Sequence, residues 1–300
     1  MAEPSLDKAI RAEPTSRGNL AAADGTSLAW AHWERPQPVG RALILHGYGE
    51  HGERYGHTAA WLLSLGWSVA SMDQRGFGRS GGPRGDSVGL EAFIDDFRRT
   101  ADRERLPGLP LVVVAHSFGA MVLLCALSQD PRLVDGAVLS SPSIVLRPMP
   151  RSIRLIQWIL LRLAPHLSID IPNNKDLVCS DPALVERYWA DPLCHRRMTA
   201  AYGQVFAAGL ELLMRQAAAI TTPVLVLEAG QDTVADPDAA SRFWDRVPPD
   251  RLQRLRLEGF RHEIFHDRRR QEAETLASEW LGRYFPALAG NPEAIQAMRG

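Results

Sequence analysis

The chain has 300 residues, 45% of them hydrophobic and 23% charged, the balance of a globular protein with ample apolar material for a core. A net charge of −1 builds no field that would favour nucleic acid or an anionic membrane, so no nucleic-acid partner is expected. Cys125, Cys179 and Cys194 are odd in number and share no metal-ligand spacing, which argues for a reduced, cytoplasmic setting.

In chain order, residues 1–14 read as a loose leader without the apolar run of a signal peptide. Residues 18–25 and Ser27–Trp33 read as two strands around an Asp24-Gly25 hairpin turn, and Arg41–Leu45 as a short strand of a buried parallel sheet. The loop His46-Gly-Tyr-Gly-Glu-His-Gly-Glu-Arg-Tyr55 follows at once. Its glycines let backbone approach closely and turn an N–H outward, as an oxyanion loop requires. A helix from about His57 to Leu65 leads to a strand over Ser68–Asp73. The polar loop Asp73–Ser80 lacks a phosphate-binding frame and reads as a structural loop holding Asp73 and Arg75. Leu90, Phe93, Ile94 and Phe97 have helical spacing.

Pro110–Ala115 is an apolar, β-branched strand that stops at His116-Ser117-Phe118, and a helical run over Ala120–Leu127 leaves immediately. Strand, serine and helix in that order form a nucleophile-elbow layout, which needs small neighbours two residues either side of the serine. Ala115 and Gly119 occupy those places. Gly136–Pro142 reads as a further strand. The alternation predicts an α/β fold with a mostly parallel sheet covered on both faces, its ligand site at the C-terminal strand ends.

The rhythm then breaks. Residues 144–201 show no clear strand and read as a helical cap inserted between core segments 15–143 and 202–285. Ser152–Leu163 is apolar around most of its circumference, with arginines at 151, 154 and 162, and is too short to span a bilayer. Two readings stand for it: core packing within the cap, or a lid that touches acyl chains or transiently meets a membrane while its arginines reach the interface. Turn signals follow at Pro172–Asp176, Ser180–Pro182 and Asp191-Pro192. A helix over Tyr202–Ala218, a buried strand over Pro223–Gly230, an edge strand over Arg251–Leu257 and a helix over Gln271–Leu281 complete the core, and residues 286–300 form a loose tail.

A serine nucleophile needs a base oriented by a third group. Asp232 closes the strand that begins at Pro223, and His262 closes the one that ends near Leu257, so Ser117, Asp232 and His262 follow in the order the elbow layout requires. Asp236 precedes Pro237 and reads as a helix N-cap instead. His266 is the weaker base, while His46, His51 and His116 read as hydrogen-bonding groups that order loops.

With these residues in view, the chain resembles the monoacylglycerol lipase and lysophospholipase branch of the α/β-hydrolases, the serine aminopeptidase type. The pattern His-Gly-x-Gly-Glu-His-x-x-Arg-Tyr is matched in full by residues 46–55, and Asp73-x-Arg-Gly-x-Gly-x-Ser80 matches the next loop. Ala115-His-Ser-Phe-Gly119 resembles the elbow of bacterial lysophospholipase members, with Ala120 in place of their last glycine. Asn174-Lys175, Ser180–Pro182 and His262-Glu-Ile-Phe265 resemble later positions, so the likeness covers roughly residues 15–285.

The resemblance implies nucleophile Ser117, acid Asp232, base His262 and an oxyanion hole from the backbone N–H groups of Tyr48 and Phe118. It also implies two-step hydrolysis of a lipid-like carboxylic ester, without metal or organic cofactor. A thioesterase, a hydrolase of small polar esters and a ligand-binding protein that kept the fold are the alternatives. A serine at the elbow excludes an aspartate-dependent dehalogenase or epoxide hydrolase.

Overall fold

Short β-branched runs become the inner strands of one sheet because both of their faces can be covered by helices. The computed structural model describes residues 12–170 and 178–286. Most of the expected leader and tail, the Pro172–Asp176 turn and Asn174-Lys175 lie outside the described residues. Strands β1 (Ser16–Ala21), β2 (Ser27–Trp33), β3 (Arg41–Leu45), β4 (Ser68–Met72), β5 (Leu111–His116) and β6 (Gly136–Ser140) come first. A two-stranded ribbon, β7 (Ile169–Asp170) and β8 (Arg197–Met198), precedes β9 (Val224–Ala229) and β10 (Leu252–Leu257). The longer helices among the described residues are α1 (Gly56–Ser64), α2 (Leu90–Glu104), α3 (Ser117–Gln129), α4 (Arg151–Leu163), α5 (Pro182–Ala190), α6 (Ala200–Gln216), α7 (Pro237–Trp244) and α8 (Arg270–Tyr284).

Eight strands form the sheet in the order β1-β2-β4-β3-β5-β6-β9-β10. The β1–β2 and β2–β4 pairs are antiparallel and every later pair is parallel. The hairpin turns at Gly25, whose φ of +82° suits glycine, and the Asp24 side chain accepts the Thr26 N–H at 3.0 Å. Alternation along β5 divides the core: Val113 and Ala115 join α2, α3, α6 and α7 on one face, while Val112 and Val114 join α1 and α8 on the other. The apolar stripe of α2 runs past Phe97 to Ala101, so that helix is longer than its strongest repeat implied.

Two features of the 144–201 stretch differ from the sequence reading. It does contain strands, the two-residue pair β7 and β8, too short to leave a periodic signal. Core packing of α4 does not hold either, since none of its residues is buried. Leu155, Trp158 and Leu163 are 59%, 52% and 80% exposed. The Arg162 guanidinium lies 3.8 Å from the Trp158 ring centroid, a cation–π contact on the same exposed helix. Among the described residues, no helix is long and apolar enough to cross a membrane.

Helix α8 packs Ala273, Ala277, Trp280 and Leu281 into the core and carries Glu274 with them. Burial pushes the Glu274 carboxyl up to about 7, against the pull of Arg270 at 3.9 Å. An unfolded glutamate titrates at about 4.3, so the folded state holds more protons between those values and stability falls as pH rises through that window. Glu274→Gln should therefore raise the thermal midpoint at pH 8 and leave it nearly unchanged at pH 4; equal midpoints for both proteins at pH 8 would contradict this.

Candidate active site

Ser117 stands where β5 passes directly into α3. Its φ of +51° is left-handed, a conformation that costs an L-residue about 1–2 kcal/mol. Space for the turn comes from Gly119, where a Cβ would stand 2.5 Å from the His46 carbonyl oxygen and 2.6 Å from that of Leu45. Ala115 keeps its methyl, buried between its strand partners Leu45 and Leu139, so glycine is not required on that side.

The loops after β9 and β10 bring two further side chains to this point. His262 Nε2 lies 2.8 Å from Ser117 Oγ, and His262 Nδ1 lies 2.8 and 3.0 Å from the two oxygens of Asp232. All three residues are buried. A carboxylate on Nδ1 fixes the proton there, which leaves Nε2 to accept from the Ser117 hydroxyl. Asp232 Oδ1 also accepts the N–H groups of Val234 at 2.8 Å and Ala235 at 2.9 Å. Burial alone would raise its pKa, but His262 beside it and these hydrogen bonds hold the carboxyl below its ordinary range. Such a line can draw a proton from a serine hydroxyl as its oxygen attacks an electrophilic carbon.

The glycine-rich loop after β3 lies against the same serine. A Cβ on Gly47 would stand 2.8 Å from the His116 ring and 3.3 Å from Ser117 Cβ, so Tyr48 follows a direct backbone approach to the elbow. Phe118, the other residue expected to offer an N–H, is the second residue of α3. Glu50 shapes this loop: its Oε1 accepts the Gly47 N–H at 2.7 Å and the Tyr55 hydroxyl at 2.8 Å. Its other oxygen pairs with Arg54, which also reaches Glu263 at 3.4 Å. Burial alone would raise the Glu50 carboxyl; the Arg54 charge holds it well below the usual range. A buried ion pair thus joins the glycine-rich loop to the residue that follows His262.

The other histidines bond to structure. His46 Nδ1 donates to the Gly47 carbonyl at 2.7 Å and its Nε2 accepts the Gln74 N–H at 2.9 Å; burial keeps it neutral by lowering its pKa. His116 Nδ1 lies 3.2 Å from both Ser140 oxygens, and His51 Nε2 lies 2.8 Å from Asp191 of the 144–201 segment. His266 is buried, with its pKa driven well below normal by desolvation and by Arg54. Asp73 accepts the N–H groups of Gly52 and Arg79, both at 2.8 Å, and Arg75 makes a two-bond pair with Asp96. Asp236 caps α7 by accepting the Ala239 N–H at 3.0 Å.

Among the described residues, His51, Asp191 and Cys194 offer a group of three possible metal-ligand atoms, all within 4.8 Å of one another. His51 and Asp191 already satisfy each other there, and the Arg54 charge, felt by Cys194, opposes a dication.

Two contacts leave almost no mark in the sequence. Ser143 Oγ lies 2.8 Å from Ser117 Oγ, and the Ser143 N–H donates to the Ser117 carbonyl at 3.2 Å. Its sole trace was the run Ser140-Ser-Pro-Ser143 after an apolar strand at the right sheet edge. The Arg54–Glu263 pair spans 209 residues of sequence, and only the matched loop pattern hinted at Arg54.

This sheet order and this strand–serine–helix junction define an α/β-hydrolase. The chain belongs to the serine aminopeptidase S33 family of hydrolases, whose family model, Hydrolase_4, matches residues 36–269. It is 29% identical over 272 residues to a monoacylglycerol lipase of Mycolicibacterium smegmatis, covering 89% of this chain and 96% of that one. An uncharacterized abhydrolase domain-containing protein of Dictyostelium discoideum is 30% identical over 271 residues; the alignment takes in 89% of this chain but spans only 29% of that protein's length. The crystal structure of Paleococcus ferrophilus monoacylglycerol lipase superposes with a TM-score of 0.76 at 27% identity, over 86% of this chain and 99% of that one.

The tight crossing at Gly119 gives a direct test. Gly119→Ala forces a methyl onto two backbone carbonyl oxygens, one at the end of β3 and one in the residue just past it, and should cost about 1–3 kcal/mol of stability. Urea titration should show a lower midpoint at unchanged slope; a midpoint equal to the parent would show that the crossing has slack.

Proposed function

We propose that this α/β-hydrolase cleaves lipid-like carboxylic esters, of the monoacylglycerol or lysophospholipid type, through an acyl-enzyme on Ser117. The observation that carries the reading is the buried hydrogen-bonded line from Asp232 through His262 to Ser117. His262 takes the Ser117 proton as Oγ attacks the ester carbonyl, and the backbone N–H groups of Tyr48 and Phe118 receive the charge that develops on the carbonyl oxygen. His262 returns the proton to the leaving alcohol; water then repeats the sequence and frees the acid. Asp232 stays ionised throughout and holds the imidazole in the tautomer that accepts from serine. Likeness to monoacylglycerol lipases supports the substrate class.

We assign residues 144–201 as the cap and the exposed apolar surface of α4 as the face it turns toward lipid, working from the cytoplasm. Ile153, Leu155, Ile156, Trp158, Ile159 and Leu163 supply apolar area, and Arg151, Arg154 and Arg162 lie on the same helix to meet lipid phosphates in this reading.

Ser117→Ala should lower kcat/KM on a monoacylglycerol by at least about a thousandfold and abolish labelling by a fluorophosphonate. Parental turnover by that variant would end the proposal, and a lysophospholipid, a thioester and a short p-nitrophenyl ester run alongside would fix the substrate class. A second variant, Leu155→Ser with Trp158→Ser, should lose co-sedimentation with phosphatidylglycerol vesicles while hydrolysing p-nitrophenyl acetate at the parental rate. Undiminished vesicle binding would remove α4 from the lipid contact.

A further inference from the structure

We propose that Ser143 is a catalytic residue for the second half of the reaction, donating a hydrogen bond to Ser117 Oγ as that oxygen leaves the acyl group. The inference rests on the acyl-enzyme reading above. Its basis is a donor count. The Nδ1 proton of His262 faces Asp232, so Nε2 accepts, and the Ser117 hydroxyl spends its single proton on Nε2. The 2.8 Å contact between the two serine oxygens then has one solution, in which Ser143 Oγ–H donates and Ser117 Oγ accepts.

The backbone is shaped to hold Ser143 there. Ser141 adopts a φ of +44°, left-handed for a non-glycine residue, and redirects the chain as it leaves β6. Pro142 follows, and the Ser143 N–H bonds the Ser117 carbonyl at 3.2 Å, so two bonds fasten residue 143 to the nucleophile. Beyond it, Leu146 bridges to Ala235, and Arg147 Nε donates to the Asp232 carbonyl at 2.7 Å, which ties the same loop to the acid's loop. Ser143 is 1% exposed, so water does not compete for its hydroxyl.

The value of this bond changes along the reaction. In the free enzyme Ser117 Oγ is a hydroxyl oxygen and accepts well. In the acyl-enzyme it is an ester oxygen, its lone pair delocalised into the carbonyl, and accepts poorly. During deacylation water attacks the acyl carbon and gives its proton to His262. The bond between acyl carbon and Oγ then breaks, its electron pair stays on Oγ, and the proton on His262 Nε2 passes to that oxygen; the products are the free acid and Ser117 restored. The Ser143 bond is weak at the start of this step and strong as charge gathers on Oγ, which is the condition for accelerating it. Acylation starts with the bond already made, so it gains little.

The test is pre-steady-state. With a p-nitrophenyl ester of medium chain length, Ser143→Ala should slow decay of the acyl-enzyme, followed by intact-protein mass, by about 3- to 10-fold, the range of one neutral hydrogen bond. kcat and KM should fall together where decay limits turnover, leaving kcat/KM within about twofold of the parent. Ser143→Thr, which keeps the hydroxyl, should restore decay to near the parental rate, with thermal midpoints confirming that both variants fold. Decay at the parental rate in Ser143→Ala, a fall in kcat/KM as large as the fall in kcat, or no recovery in Ser143→Thr would each overturn the proposal. Failure of the underlying reading looks different: the parental protein itself would form no acyl adduct.

Discussion

The structure turns on a close backbone crossing, where the first turn of α3 passes over the end of β3. Gly119 lies so near the carbonyls of Leu45 and His46 that no side chain fits, and Ser117 is held left-handed beside it. That strain persists because the strands on both sides are fully buried and cannot relax. A serine in this position stands clear of the sheet, at the edge where the loops after β3, β6, β9 and β10 converge.

Around that point the protein buries charge, which is stable only when each group is answered. Glu50, Arg54 and Glu263 lie together beneath the loops, with Tyr55 and the Gly47 N–H satisfying the remaining oxygen of Glu50. The arrangement links the glycine-rich loop to the segment just after His262 through the two buried ion pairs of Arg54. His51 and Asp191 extend the connection to the 144–201 segment, as do the Gly49 carbonyl with the His195 N–H at 3.1 Å and the Gly85 carbonyl with the Thr199 N–H at 3.0 Å. The C-terminal part of that segment is therefore pinned to the core, while α4 presents its apolar side chains outward.

Much of the fold was legible because its signals are local. Val112 to Ala115 can only be a buried strand, Leu90 to Phe97 carry a helical stripe, and Asp236-Pro237 marks a helix start through the chemistry of a single cap. The three residues singled out for proton transfer come within hydrogen-bonding distance, because strand ends in a parallel sheet gather at one edge whatever the length of chain between them. The outward face of α4 was not legible. An apolar helix buried in a cap and one whose apolar side chains face outward share the same composition, and only the burial of the individual side chains separates them.

Sequence by itself determined the alternation of strand and helix, the small residue at Gly119, and the order Ser117, Asp232, His262. Each follows from chemistry acting over a few residues: β-branching, capping, and the space a tight turn demands. Tertiary structure alone decided that Ser143 meets Ser117, that Arg54 meets Glu263, and that Ala115 needs no glycine. Those outcomes depend on distances across the sheet edge, which no local pattern encodes, and a buried hydroxyl must take whichever partner the packing of distant loops brings within reach.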